Sequence, residues 1–178
     1  MDYTSEALPK GEYENCRFLH CDFSGSDLSE IKFVDCSFEN CNLSLTTISN
    51  TIFRDVQFKG CKMLGMYFEH CNPFGLSMDF EHCTLNNCSF YETKVRKTTF
   101  KNCSLRETDF GECDLTGSVF ENSDLTDALF DHSILEKTDL RTATGYSINP
   151  ETNRIKKAKF SLPGAIGLLD QYDIEITV

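Results

Sequence analysis

The apolar positions of this chain recur every five residues from Cys16 to Leu140. A Phe or Leu stands at the centre of most five-residue units, and two residues earlier stands a small side chain, usually Cys, Ser, Thr or Ala. Positions two residues apart point to the same side of an extended segment. The Asp, Asn, Ser and Gly residues between them favour turns. Each unit is therefore predicted to form one short side followed by a corner.

The number of sides per coil follows from comparing every fourth unit, with two extra residues allowed after Cys71. Central residues of the same kind then fall into columns, which indicates four sides and about twenty residues per coil. The fold is predicted to be an all-β solenoid with like side chains stacked between coils. One column contains Phe18, Phe38, Phe58, Phe80, Phe100, Phe120, Leu140 and Phe160, and a second contains Leu28, Ile48, Phe68, Phe90, Phe110 and Phe130.

The register slips once, within residues 71–80. Pro73 takes a core position in the pattern, Phe74 is apolar at an outward position, and Gly75 permits unusual backbone angles. Two interpretations remain open, a kink that divides two stacks of coils and a tolerated bulge.

The chain is predicted to divide into a lead-in and cap at 1–15, a solenoid at 16–160 and a C-terminal cap at 161–178. A short apolar helix is expected near Pro163, and the alternating DIEITV segment is expected to form a strand. A solenoid end needs a cap, and a cap this apolar is either a cap alone or also a homodimer interface. The predicted dimer residues are Leu162, Ile166, Leu168, Leu169, Tyr172, Ile174 and Ile176.

The ten cysteines share the small position of the repeat, where Ser, Thr and Ala also occur. That position calls for a small buried side chain, so we expect free thiols and not a disulfide framework. The histidines of His20-Cys21, His70-Cys71 and His82-Cys83 occupy outward corners while the cysteines point inward. These pairs cannot converge on one ion, and no metal ligands are predicted.

The composition narrows the classes of function. A formal net charge of -11 argues against a nucleic-acid ligand. No apolar run is long enough for a membrane span, and the polar N-terminus lacks the features of a secretory signal, so a cytoplasmic protein is expected. Without a phosphate-binding loop, a nucleophile motif or a predicted cleft, we expect neither catalytic residues nor a cofactor.

The surface charge is uneven along the chain. Residues 107–140 contain ten acids and one base, Lys137, whereas a basic girdle of Lys94, Arg96, Lys97, Lys101 and Arg106 precedes them. The simpler interpretation is that Asp before the central residue is a repeat preference that confers solubility. The alternative is an ordered acidic surface that binds proteins with basic grooves. Its candidate residues are Glu107, Asp109, Glu112, Asp114, Glu121, Asp124, Asp127, Asp131 and Asp139.

The units CDLTG, SDLTD and TDFGE resemble the A(D/N)LXX consensus of the pentapeptide repeat family. The resemblance implies a right-handed quadrilateral β-helix, here with a short C-terminal helix. Within the family, the chain resembles the Qnr-type quinolone-resistance and microcin-immunity proteins in length, mid-chain irregularity, the SINPETNRIKKAKF segment and the apolar C-terminal end. No inserted surface loop interrupts its repeats, however, whereas some Qnr-type members depend on such loops.

Members of that group dimerise through their C-terminal ends and mimic B-form DNA when they bind DNA gyrase and topoisomerase IV. The resemblance therefore implies a non-catalytic dimer whose partner is a type II topoisomerase. The rival hypothesis is a general protein-interaction scaffold with an unrelated partner.

Overall fold

The protein is a right-handed, four-sided β-solenoid of parallel strands; the repeat predicts the four sides, and the family resemblance implies the right hand. A computed structural model describes residues 1–4, 7–172, 174–175 and 177. The strands are β1 (Glu12–Glu14), β2 (Arg17–Leu19), β3 (Lys32–Val34), β4 (Ser37–Glu39), β5 (Ile52–Arg54), β6 (Val56–Lys59), β7 (Met78–Glu81), β8 (Thr99–Lys101) and β9 (Val119–Glu121). Short 3₁₀ helices span Phe68–His70, Gly164–Leu168 and Asp170–Tyr172.

Each side of the rod is a ladder of parallel pairs from successive coils. Face one carries β2, β4, β6, β7, β8 and β9 in that order, and face four carries β1, β3 and β5. Single parallel bridges, such as Asp22↔Asn42 on face two and Asp27↔Thr47 on face three, align the other two sides. Partners lie twenty residues apart, as in Phe18↔Phe38, and the chain visits faces one to four in order within each coil.

The core is a column of stacked rings along the rod axis. Phe100 and Phe120 on face one stack at 4.9 Å, and the rings of Phe100 and Phe110 meet edge to face at 6.1 Å. All of these rings are fully buried. Offset-stacked and edge-to-face contacts are both favourable for aromatic pairs, so like residues recur every coil.

The corner of most units adopts a left-handed backbone conformation, including at residues other than glycine. His20, Glu112 and Lys137, for example, have φ of 50°, 53° and 60°. Asn, Asp and Gly tolerate this region best, but the inter-coil hydrogen bonds on either side hold the conformation for other residues too. A side chain at the corner points away from the core, so this position is free to carry charge.

The small position of the repeat provides hydrogen-bond donors as well as small volume. Thr108 Oγ1 donates to Leu85 O at 3.0 Å, and Ser133 Oγ donates to Phe110 O at 2.8 Å, in each case reaching one coil back. The thiol of Cys61 donates in the same way to Phe38 O at 3.3 Å. A second acceptor lone pair on each core carbonyl is therefore satisfied, which explains why Cys, Ser and Thr dominate this position.

The cysteines are free thiols, and nine of the ten are buried. Burial raises the pKa of Cys88 to about 12 and raises the pKa of Cys71 and Cys113 as well. The inward orientation predicted from the repeat is thus confirmed. Thiols with such raised pKa values are weak nucleophiles at neutral pH.

The register slip is a bulge that the solenoid accommodates. Val56 pairs with Met78, twenty-two residues later, and the face-one ladder continues through β7 without a break. Phe58 and Phe80 stack across the slip at 5.3 Å. The core position expected for Pro73 was wrong, because Pro73 is exposed and Leu76 packs partly against the core instead.

The C-terminal cap begins with the predicted short helix, which is a 3₁₀ helix that follows Pro163. The strand predicted at 173–178 lies partly outside the described residues, because 173, 176 and 178 are not among them. Within the described part of the chain, no helix has the length and apolar character needed to cross a bilayer.

Candidate protein-binding surface

Face three of the rod carries acids and no base. We define it as the segments 26–30, 46–50, 66–70, 88–92, 108–112 and 128–132, which parallel bridges and inter-coil hydrogen bonds align. None of these segments contains Lys or Arg. Its seven acids are Asp27, Glu30, Glu69, Glu92, Asp109, Glu112 and Asp131.

Face four shows the opposite composition. We define it as the segments 11–15, 31–35, 51–55, 93–97, 113–117, 133–137 and 153–157, and it has nine bases against six acids. Because coils stack about 4.8 Å apart, like charges accumulate along a face. The rod thus presents an acidic side next to a basic side.

The structure distributes the nine predicted acidic residues over all four faces. Glu121 and Asp139 lie on face one, and Asp114 lies on face four. Face two carries Glu107, Asp124 and Asp127, whereas face three carries Asp109, Glu112 and Asp131. A continuous acidic run in the sequence is therefore not a continuous patch on the rod.

Three of the nine acids are in ion pairs with arginines, two of them from the neighbouring coil and one from the same repeat unit. Arg96 Nη2 lies 2.6 Å from Asp114 Oδ2, Arg106 Nη1 lies 3.4 Å from Asp124 Oδ2, and Arg141 Nη2 lies 2.7 Å from Asp139 Oδ2. The basic girdle predicted from the sequence thus neutralises part of the predicted acidic surface.

The pKa values of these three carboxyl groups are lowered. Burial opposes the effect at Asp114, but hydrogen bonds from Arg96 and Thr116 outweigh it and lower the pKa. A hydrogen bond from Thr126 lowers the pKa of Asp124. The Arg141 guanidinium lowers the pKa of Asp139 to about 2. Asp114 is only 5% exposed, so a partner cannot reach it.

The remaining acids have no Lys or Arg within 4 Å among the described residues. Asp109 accepts a hydrogen bond from Gly111 N at 2.8 Å, and Glu112 accepts one from Tyr91 Oη at 2.8 Å. His132 Nδ1 lies 3.0 Å from Asp131 Oδ1. These three face-three acids are thus held by a backbone amide, a tyrosine hydroxyl and an imidazole, whereas Glu30 at the other end of the face pairs with Lys10 Nζ at 2.7 Å.

Face three also exposes large apolar side chains, which sequence reasoning missed. Tyr67, Leu129 and Tyr91 are 55%, 54% and 39% exposed. The sequence contains a signal for them, because each of these three residues is next to the central core residue of its unit. The repeat usually has a polar side chain at that position. Exposed aromatic and aliphatic groups rimmed by polar residues are typical of protein-binding surfaces.

A groove lies where face three meets the register slip. It has a volume of about 480 Å³, and Phe68, Glu69, Phe74, Leu76 and Tyr91 contribute to its lining. Phe74 is 76% exposed at its edge. Glu69 Oε1 accepts a hydrogen bond from Ser89 Oγ at 2.8 Å, whereas Glu69 Oε2 is buried without a hydrogen-bond partner among the described residues.

The C-terminal cap exposes most of the residues predicted for the dimer interface. Leu162, Ile166, Leu169, Tyr172 and Ile174 are all exposed. Leu168 is partly buried and packs against the core of its own chain, and Ile176 lies outside the described residues. The cap therefore presents an apolar end that its own solenoid does not cover.

The histidines stand at exposed corners, as the repeat predicts. Within the part of the chain that the structure describes, no cluster of three or more His, Cys, Asp or Glu side chains could hold a metal ion.

Comparison with known structures shows the same architecture in a fluoroquinolone-resistance protein. A trypsin-treated variant of QnrB1, described as a plasmid-mediated fluoroquinolone resistance protein, is 17% identical, with a TM-score of 0.61 over 99% of this chain and 96% of that chain. Full-length QnrB1 is 18% identical, with a TM-score of 0.55 over 92% of this chain and 90% of that chain. At this identity the likeness concerns the fold.

The sequence comparisons give the family directly. A search of curated protein sequences gave no significant match. The family described as "Pentapeptide repeat region" matches residues 12–74 and 67–140. These matches cover most of the solenoid and agree with its four-sided coils, so the chain belongs to the pentapeptide repeat family.

Proposed function

We propose that the protein is a non-catalytic, dimeric binding rod whose face three occupies the basic DNA-binding surface of a type II topoisomerase. The observation that carries the proposal is the absence of Lys and Arg from the face-three segments, which contain seven acids, one of them, Glu30, paired with Lys10. Acids repeated at about 4.8 Å from coil to coil form a line of negative charge, as the phosphates of duplex DNA do. A basic groove attracts either surface.

The proposed binding surface keeps only those of the nine predicted acids that lie on or next to face three. Asp109, Glu112 and Asp131 stay in it, because they belong to face three, and Glu107 and Asp127 flank it at the adjoining corner. Asp114, Asp124 and Asp139 serve the solenoid through ion pairs. Glu121 lies on the opposite face. The similarity to QnrB1 supports the choice of gyrase or topoisomerase IV, since that protein confers fluoroquinolone resistance.

Dimerisation through the apolar cap would align two acidic faces along one longer rod. Leu162, Ile166, Leu169, Tyr172 and Ile174 supply the exposed apolar surface for such contacts. A C2 dimer buries this surface twice. Ten free cysteines, nine of them buried, are consistent with a cytoplasmic location, where a topoisomerase would be encountered.

The test is a titration of the purified protein into a gyrase supercoiling assay, with and without a fluoroquinolone. We expect inhibition of supercoiling, or restoration of supercoiling in the presence of the drug, at micromolar protein. Neither effect at that concentration would refute the proposed partner.

A second candidate function is a scaffold for a protein unrelated to DNA. The exposed Tyr67 and Leu129 favour it, because apolar side chains have no counterpart among DNA phosphates. Affinity capture from a native extract separates the two candidates, since a topoisomerase subunit is retained only if the first is right.

A further inference from the structure

We propose that the groove beside the register slip binds an arginine side chain of the partner protein. Glu69 Oε2 would accept hydrogen bonds from the guanidinium, while Phe74 and Tyr91 pack against its planar head and alkyl stem. This inference rests on the proposed function, because it assumes a partner protein with a basic surface.

The first argument is the unsatisfied oxygen. Buried carboxylate oxygens are normally hydrogen-bonded, and an unmet acceptor costs free energy. Glu69 Oε1 is held by Ser89, which fixes the carboxylate, but Oε2 has no partner among the described residues. The cationic Lys94 also contributes to the groove lining, yet no ion pair within 4 Å joins it to Glu69. A donor from outside the chain would satisfy this oxygen.

The second argument is the chemistry of the groove walls. Phe74 is held out by the bulge, where its backbone N–H donates to Asn72 Oδ1 at 2.9 Å, and its ring is 76% exposed. Tyr91 is anchored by its hydroxyl to Glu112 and also lines the groove. Aromatic faces attract guanidinium groups, and an arginine stem packs on apolar surface. Arginine fits better than lysine, because its planar head stacks and donates at once.

The third argument is the origin of the groove. The two extra residues of the slip leave Pro73 and Phe74 outside the core, and Leu76 fills only part of the missing core position. A coil of normal length would close this space with an inward side chain. The irregularity thus creates a concave site at the edge of the acidic face.

The test is an NMR titration of the full-length protein with the blocked peptide acetyl-Gly-Arg-Gly-amide. We expect saturating shift changes at millimolar peptide that are confined to residues 68–76 and 91–94. A matched peptide with norleucine in place of arginine should cause none of them. Shift changes spread evenly along the rod, or no change, would overturn the inference.

Two variants make the assignment specific. Glu69→Gln keeps an acceptor for Ser89 but removes the charge, and we expect the dissociation constant for the peptide to rise at least about tenfold. Asp131→Asn removes one exposed carboxylate from the same face away from the groove, and should leave the dissociation constant unchanged. Equal binding by wild type and Glu69→Gln would contradict the proposal.

The peptide titration does not involve gyrase, so the two proposals can fail separately. Peptide binding without any effect on supercoiling would support the arginine-binding groove and refute a type II topoisomerase as the partner. An effect on supercoiling without peptide binding would refute only the arginine-binding groove.

Discussion

Arg96 and Asp114 lie eighteen residues apart in the sequence but meet between adjacent coils. Arg96 Nε and Nη2 approach Asp114 Oδ2 at 2.7 and 2.6 Å, and Asp114 Oδ1 accepts hydrogen bonds from the backbone and hydroxyl of Thr116. Asp114 is 5% exposed. It therefore belongs to the framework of the solenoid, although its sequence context indicates an acidic binding surface.

Replacing Asp114 is expected to destabilise the fold. Asp114→Ala removes several charge-assisted hydrogen bonds from a buried position, and we expect the free energy of unfolding to fall by about 2 kcal/mol. Asp131→Ala, at an exposed position, should change it by less than about 0.5 kcal/mol. Urea denaturation followed by circular dichroism measures both. Equal, small changes for the two variants would contradict the structural role of Asp114.

Because the small core position provides a hydrogen-bond donor, two substitutions of Thr108 should differ in their effect on stability. Thr108→Val preserves shape but leaves Leu85 O with one hydrogen bond fewer, so the free energy of unfolding should fall by about 1 to 2 kcal/mol. Thr108→Ser keeps the donor and loses only a methyl group. We expect the valine variant to have the lower melting temperature of the two, and the reverse order would show that volume alone governs this position.

The Asp139 carboxyl predicts a pH-dependent contribution to stability. Its pKa is about 2 in the folded protein because of Arg141, below the ordinary value of 3.8. A lowered folded-state pKa stabilises the protein above the unfolded pKa, and this stabilisation is lost as the pH falls from about 4 to about 2.

Asp139→Asn should therefore cost up to about 2 kcal/mol of the free energy of unfolding at pH 7 and much less at pH 2. Denaturation curves at both pH values provide the comparison. A difference between wild type and variant that does not change with pH would show that the carboxylate charge is not the cause.

Charge reversal on face three tests the proposed binding surface. Glu92→Lys, Glu112→Lys and Asp131→Lys together should abolish any effect on gyrase. Lys97, Lys137 and Lys157 already occupy the left-handed corner that Glu92 and Glu112 occupy, so the fold should tolerate these changes.

A triple variant with the same change in net charge serves as the control. Asp35→Lys, Asp55→Lys and Glu121→Lys place three positive charges on the far side of the rod and should retain the effect on supercoiling. If both triple variants lose it equally, net charge and not face three would be responsible.

The cap predicts a dimer that one substitution can dissociate. Ile166→Asp puts a charge into the exposed apolar end, so light scattering should give about 20 kDa for this variant and twice that mass for the wild type. Leu45→Asp is the control, because Leu45 is 69% exposed at a corner far from the cap. A wild-type mass near 20 kDa would refute the dimer.

The sequence by itself determined the solenoid, because side-chain direction within each unit is a local property. The two-residue spacing of Cys36 and Phe38 turns both inward, and the polar residues between units form the corners, so the four columns and the buried thiols could be predicted. Pro73 was misplaced for the same reason. Assigning inward positions at a fixed spacing puts Pro73 in the core. It does not show that the chain can bulge, so that Leu76 approaches the core in place of Pro73.

Only the tertiary structure decided which charges share a surface. Residues 107–140 contain a single base in the sequence, yet Arg96, Arg106, Arg141 and Arg154 reach into that stretch from outside it and pair with its acids. Apart from Arg141 with Asp139, these pairs join residues in different coils and depend on register and on side-chain geometry. Face three stays acidic because its segments contain no Lys or Arg, although Lys10 of the preceding segment pairs with Glu30. The unpaired oxygen of Glu69 becomes visible only when the bulge and its neighbouring coils are placed together.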